Sequence, residues 1–161
     1  MLKRSKIEDY LDEDGEPLPN VERSFVVLVV NDDPNSGELI ARLVEASGWQ
    51  AARAYDVSMA VSLVREQSLA GVIVDLTEGL SAAVDAVQAI RAAGDAGSRI
   101  PILVLTSTGG DESTAWRAGA DGFLARPFHA NDFLQQLDVI IGRSPEERDE
   151  HRQQMIGDSV G

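Results

Sequence analysis

The chain has 161 residues, with 27 acidic side chains against 14 basic ones and a formal net charge of -13. That length suits one domain with a sizeable core, and a field of that sign argues against direct nucleic-acid binding or attachment to an anionic membrane. With no cysteine and only His129 and His151, disulfides, thiol nucleophiles, Cys-based zinc sites and a Ser-His-Asp triad have little or nothing to build on.

The first segment, 1–23, has a positive start but no apolar h-region, and its stretch from Glu8 to Asn20 is acidic and broken by Gly15, Pro17 and Pro19. It reads as a mobile acidic arm, not a signal peptide. No apolar run reaches 18 residues, so a soluble, cytoplasmic protein without a membrane span is expected. The body, 24–142, alternates between two patterns. FVVLVV (25–30) is a buried strand that stops at Asn31-Asp32-Asp33-Pro34, where Asp33 reads as a helix cap; Leu39, Ile40, Leu43 and Val44 then recur at helical spacing. WQAARAY (49–55) is a weaker strand, followed by a helix with Val57, Ala60, Val61 and Val64 inward. GVIVDL (71–76) is a third run, after which Ser81 is placed to cap a helix showing Val84, Val87 and Ile90. PILVLTS (101–107), a loosely defined helix over 111–118, the short strand Gly122-Phe123-Leu124 and a last core helix with Phe133, Leu134, Leu137, Ile140 and Ile141 complete the series. Residues 143–161 form a polar tail or a short helix beginning at Ser144-Pro145, with His151 in solvent. Apolar strands alternating with helices of this length mark βαβ units and a parallel sheet covered on both faces.

In such a sheet, functional groups gather at the carboxyl ends of strands. Here those ends carry Asn31-Asp32-Asp33, Asp75 and Thr106-Ser107. If the first and third strands are neighbours, Asp32 and Asp75 converge. Paired carboxylates repel unless a cation or proton intervenes, and hard oxygen ligands suit Mg2+. An aspartate in that setting can attack a phosphoryl donor, with a hydroxyl such as Thr106 and a cation holding the phosphoryl oxygens.

On VVLVVNDDPNSGELIARLVEASGW, GVIVDL, AVQAIR, IPILVLTS and AGADGFLARPF, taken in that order and spacing, the chain resembles the receiver domains of bacterial two-component response regulators. The resemblance covers about residues 24–142. It implies a doubly wound, flavodoxin-like (βα)5 sandwich whose parallel five-stranded sheet has the order 2-1-3-4-5. It also implies Mg2+-dependent transfer of a phosphoryl group from a histidine kinase or phosphotransfer protein, with self-phosphorylation and autodephosphorylation as the whole of any enzymatic activity. On the matching positions, Asp75 is the phosphoacceptor and Asp32 a direct metal ligand. Asn31 acts on the metal through water, and Thr77 through its backbone carbonyl. Thr106 is the hydroxyl that meets the phosphoryl group, Phe123 is the switch aromatic, and Trp116 is a contact or half-core residue on the adjoining helix. Arg126, before a cis Pro127, stands where the family has lysine.

Three departures qualify the resemblance. Asn31 replaces an acid, Arg126 replaces lysine, and Gly79 replaces the family's proline four residues after the acceptor; Glu78 lies close enough to compete for a metal or mimic phosphate charge. Arginine's planar fork is not equivalent to an ammonium at a close-packed site, although residues 25–141 use seven arginines and no lysine. Only twenty residues follow the last core helix. The leading expectation is therefore a receiver that signals through a changed surface, formed by the fourth helix, fifth strand and fifth helix, toward a downstream partner or a homodimer. The alternative is a pseudo-receiver acting as a phosphorylation-independent interaction module. A phosphohydrolase of similar fold is the third, and the chain has no lid or specificity loop to favour it.

Overall fold

The apolar runs that stop at polar residues become strands in a computed structural model, which describes residues 25–107 and 110–160. The elements are β1 (Val26–Asn31), α1 (Pro34–Ala46), β2 (Gln50–Ala54), α2 (Val57–Glu66), β3 (Gly71–Asp75) and α3 (Leu80–Arg91). They continue with α4 (Gly94–Arg99), β4 (Ile102–Thr106), α5 (Ser113–Ala118), β5 (Gly122–Ala125), α6 (Ala130–Gly142) and α7 (Pro145–Val160). The acidic arm expected over 1–23 lies outside the described residues. All strand pairs are parallel and the order is β2-β1-β3-β4-β5, as the resemblance implies.

β1, β3 and β4 are central strands buried on both faces, which is why they read as unbroken Val/Ile/Leu runs. The strand β2 lies on the sheet edge and is half-exposed, which accounts for its weaker pattern. Side chains alternate between the two faces. Val27, Val29, Ile73, Leu103 and Leu105 pack against Ile40 and Val44 of α1 and Phe133, Leu137 and Ile140 of α6. Leu28, Val30, Val72, Val74, Ile102 and Val104 meet α2, α3 and Ala115 of α5 on the other face.

The helix starts follow local chemistry. The Asp33 carboxylate accepts from the Asn35 amide at 3.2 Å and Pro34 opens α1, as expected. Ser81, expected as a cap, instead lies inside the first turn of α3. The cap position belongs to Gly79, whose φ of 95° is one that proline, locked near -65°, cannot adopt. The glycine therefore marks a loop set differently from the family's.

The C-terminal segment departs most from expectation. It is a 16-residue helix, α7, not a short or fraying one. Ser144 and Glu147 open it with a reciprocal capping box: the Glu147 amide donates to Ser144 Oγ at 3.1 Å, and the Ser144 amide donates to Glu147 Oε1 at 2.9 Å. His151 is not in solvent. It packs edge-on against Trp116 with ring centroids 5.4 Å apart, and Trp116 is only 4% exposed. Trp116 is thus a buried residue under α7, which covers the α5 side of the surface expected to receive a partner or a second copy. Between α7 and α6 a groove of about 410 Å³ stays open over Leu124.

Candidate functional site

Parallel pairing sets Asn31 directly beside Asp75 at the carboxyl ends of β1 and β3. Thr106 ends β4, and the Arg126 amide donates to the Thr106 carbonyl at 2.8 Å, which carries Arg126 across the top of the sheet. The Arg126-Pro127 bond is cis, as the resemblance implies. The ends of β1, β3, β4 and β5 thus gather Asn31, Asp75, Thr106 and Arg126; strand-end reasoning expects the first three ends to meet, with Asp32 in place of Asn31 beside Asp75, and the resemblance supplies Arg126.

The Asp75 side chain is almost fully buried, at 8% exposed, and both its oxygens are taken. Arg126 closes a two-point fork on them: Nη1 donates to Oδ1 at 2.9 Å and Nη2 to Oδ2 at 2.7 Å. Asn31 Nδ2 donates to Oδ2 at 2.8 Å, and Ser36 Oγ adds a longer contact at 3.3 Å. The guanidinium itself is held from two further sides. Its Nη1 also donates to Ser107 Oγ at 3.3 Å, and its plane lies 5.5 Å from the Phe128 ring centroid.

The orientation of Asn31 follows from its neighbours. Its Oδ1 accepts the Asp33 amide at 2.7 Å while its Nδ2 meets a carboxylate, so the side chain cannot turn over without opposing like groups. An aspartate at this position would face Asp75 with a second negative charge. The asparagine makes the pair neutral toward each other, and with Arg126 the buried charge is balanced by the protein alone.

Asp32 is exposed and is held by Thr77, two residues beyond Asp75. It accepts from the Thr77 amide at 3.0 Å and from Thr77 Oγ1 at 2.9 Å. The resemblance assigns Thr77 to the metal through its carbonyl; here its amide and hydroxyl pin Asp32. Glu78 is exposed and lines a groove of about 360 Å³ with Asp32, Tyr55, Asp56 and Asp85. Thr106 is buried at the end of β4, and Phe123 is half-buried against the α2–α3–α5 side of the core.

The donor set does not fit a divalent cation in this arrangement. Mg2+ wants several hard oxygens free to face it. Asp75 has both oxygens on a guanidinium, and Asn31 presents nitrogen on that side with its oxygen committed to a backbone amide. Asp32 is engaged by the Thr77 amide and hydroxyl, and among the described residues no group of three His, Asp or Glu side chains is placed to hold a metal.

Sequence reasoning missed a second polar centre at the opposite end of the sheet. Asp121, in the turn between α5 and β5, is buried and accepts from the Ile102 amide at 2.9 Å, from Arg91 Nη2 at 2.8 Å and from Arg152 Nη1. Arg91 also donates to the carbonyls of Gly97, Ile100 and Gly119, and Arg148 donates to those of Arg99, Ile140 and Arg143. These carbonyls sit at the C-terminal ends of α4, α5 and α6, where the helix dipoles favour a cation. Nothing in the sequence reading singles out Asp121, which sits in the AGADGF run.

Comparison with known proteins agrees with this fold. The family model for the response regulator receiver domain matches residues 27–138, more than half of the chain. YrkP of Bacillus subtilis, a transcriptional regulatory protein not itself characterised, is 30% identical over 134 residues, covering 79% of this chain and 56% of YrkP. TcrX of Mycobacterium tuberculosis, a probable transcriptional regulatory protein, is 26% identical over 150 residues, covering 91% of this chain and 60% of TcrX. The chain thus spans little more than half the length of these relatives. The receiver domain of the sensor histidine kinase PA1611 from Pseudomonas aeruginosa, solved with a magnesium ion in its active-site cleft, is 26% identical with a TM-score of 0.65. That match covers 75% of this chain and all of the PA1611 domain. No helix among the described residues is long and apolar enough to cross a membrane. A parallel sheet of order 2-1-3-4-5 with Asp75 at its centre, matched along residues 27–138, makes this chain a member of the response regulator receiver family.

Proposed function

We propose that this receiver works as a protein-interaction module in a cytoplasmic two-component pathway, with Asp75 kept in a closed ion pair and not used as a phosphoacceptor. The observation that carries this reading is the two-point fork of Arg126 on Asp75, with the Asn31 amide as a further donor. To attack phosphorus, Asp75 must present one oxygen that the guanidinium does not cover. A lysine ammonium is a compact charge on a flexible stem and can hold one oxygen while the other reacts; a guanidinium fork in its preferred geometry engages both. The charge that would attract a metal is also already cancelled within the protein. Family kinship supports protein partners: a histidine kinase or phosphotransfer protein upstream, and a downstream partner that docks on the receiver surface.

A second reading, phosphoryl transfer to Asp75 with Mg2+, draws on one observation. The hydroxyls of Thr106 and Ser107 stand at the end of β4 beside the acceptor, where a phosphoryl group would need donors. The PA1611 receiver, which is similar, holds magnesium in its cleft. One experiment separates the two. The full chain is incubated with Mg2+ and acetyl phosphate and its intact mass is followed. The closed-pair reading expects no change; a gain of one phosphoryl group that disappears in Asp75→Ala would establish the second reading instead.

A further inference from the structure

We propose that the part of α7 beyond Arg148 is a releasable cover over Trp116 and the α5–β5 turn, latched at Asp121 and opened by acid. This stands independently of how Asp75 is used. The side of α7 turned toward the body is a single stripe of Arg148, His151, Arg152, Met155 and Ile156, at i, i+3, i+4, i+7 and i+8. Two of these five, Met155 and Ile156, are apolar, so polar contacts carry a share of the docking. The first turn is fastened. Ser144 and Glu147 cap it, and Arg148 is buried among carbonyls of Arg99, Ile140 and Arg143. Beyond it, a charged contact from α7 to the body among the described residues is Arg152 on Asp121.

That latch can open without exposing the core to an unpaired charge. Asp121 keeps Arg91 and the Ile102 amide when Arg152 leaves, and Arg152 is already near enough to Asp149 of its own helix to donate to it at 3.1 Å. The interface also leaves polar atoms unsatisfied. Trp116 Nε1 and His151 Nδ1 are buried with no hydrogen-bond partner among the described residues, and both recover water on release.

His151 makes release sensitive to pH. The charged groups facing it are Asp121 from the α5–β5 turn, Arg143 after α6 and, across the groove, Asp132 near the start of α6, with Arg148 and Arg152 on its own helix. Burial, followed by Arg143, pushes the imidazole below its ordinary 6.5, against a weaker pull from Asp121. A group whose docked value is lowered favours docking in its neutral form. Docking is therefore at full strength above about pH 6.5 and weakens as pH falls through the lowered value. A protonated His151 would also bring a second N–H into a pocket that offers Nδ1 no acceptor.

Amide hydrogen exchange on the full chain, read segment by segment and corrected for intrinsic rates, tests the proposal. Arg152→Ala at neutral pH is expected to speed exchange in 149–160 at least about ten-fold while β3, β4 and β5 keep their protection, with Arg152→Lys recovering part of the difference. In the wild type, lowering the pH to about 5.5 is expected to have the same local effect, and His151→Phe, which keeps a ring against Trp116, is expected to abolish it. Unchanged exchange in Arg152→Ala and across pH would overturn the latch. A rise in β5 and α6 in step with 149–160 would also overturn the proposal, because α7 would then be part of the core.

Discussion

The double variant Arg126→Lys, Asn31→Asp is expected to bind Mg2+ and to take up a phosphoryl group at Asp75 at least about ten-fold faster than the wild type. Each change acts on one part of the closure. Lysine replaces a fork that occupies both Asp75 oxygens with a single ammonium, freeing one for attack. Aspartate at position 31 puts a carboxylate where an amide now donates to Asp75 at 2.8 Å. Two like charges at that distance destabilise the folded state until a cation joins them. The double variant should therefore melt below the wild type without metal and recover on addition of Mg2+, whereas the wild type should be indifferent to it. Thermal melts with and without Mg2+, paired with intact-mass labelling by acetyl phosphate, give both readouts. If the double variant stays unlabelled and indifferent to Mg2+, the closure does not lie in Arg126 and Asn31, and the loop built on Gly79 becomes the cause.

Asp121→Ala is expected to cost about 3–5 kcal/mol of stability, because it strands buried guanidinium charge that the carboxylate now neutralises. Burial already lowers the Arg91 pKa from its ordinary value, and Asp121 is the main influence opposing that shift. Removing it leaves Arg91 among carbonyls with no counter-ion, and the Ile102 amide loses its acceptor at the start of β4. For a chain of this size the thermal midpoint should fall by about 10 °C. Urea unfolding of the variant gives the free energy directly; a cost below about 1 kcal/mol would show that the backbone carbonyls alone hold Arg91 and Arg152.

The sheet and the principal site are legible in the sequence for the same reason. Central parallel strands are buried on both faces and must be apolar throughout, so the polar residue ending each run marks the carboxyl edge of the sheet. That logic brings the ends of β1, β3 and β4 together, although it expects Asp32 beside Asp75 where the register places Asn31, and Arg126 comes from the resemblance alone. It does not reach side-chain direction. Nothing in NDDPN says that Asn31 turns its nitrogen to Asp75 and its oxygen to Asp33, or that Thr77 holds Asp32 through its amide and hydroxyl. The C-terminal end of the chain is illegible for a different reason. A stripe made mostly of arginine and histidine looks solvated by composition, yet long cationic side chains bury their stems and find carbonyls at helix ends. Arg148 does this against the ends of α4 and α6, Arg152 reaches the buried Asp121, and His151 packs on Trp116, which is covered as a result. The short α4 escapes notice because Gly97 is its one buried residue and it shows no apolar period.

The central claim is that the protein itself, through Arg126, balances the charge of Asp75. Nitrogen-15 NMR of the Arg126 guanidinium, recorded while Mg2+ is titrated to millimolar concentration, tests it most directly. A fork fixed on a buried carboxylate should give separate, slowly exchanging Nη signals that collapse in Asp75→Ala and do not move with Mg2+. Saturable shifts of those signals on adding Mg2+, with the two Nη groups becoming equivalent, would mean that the cation displaces the fork and that Asp75 is open to phosphoryl transfer after all.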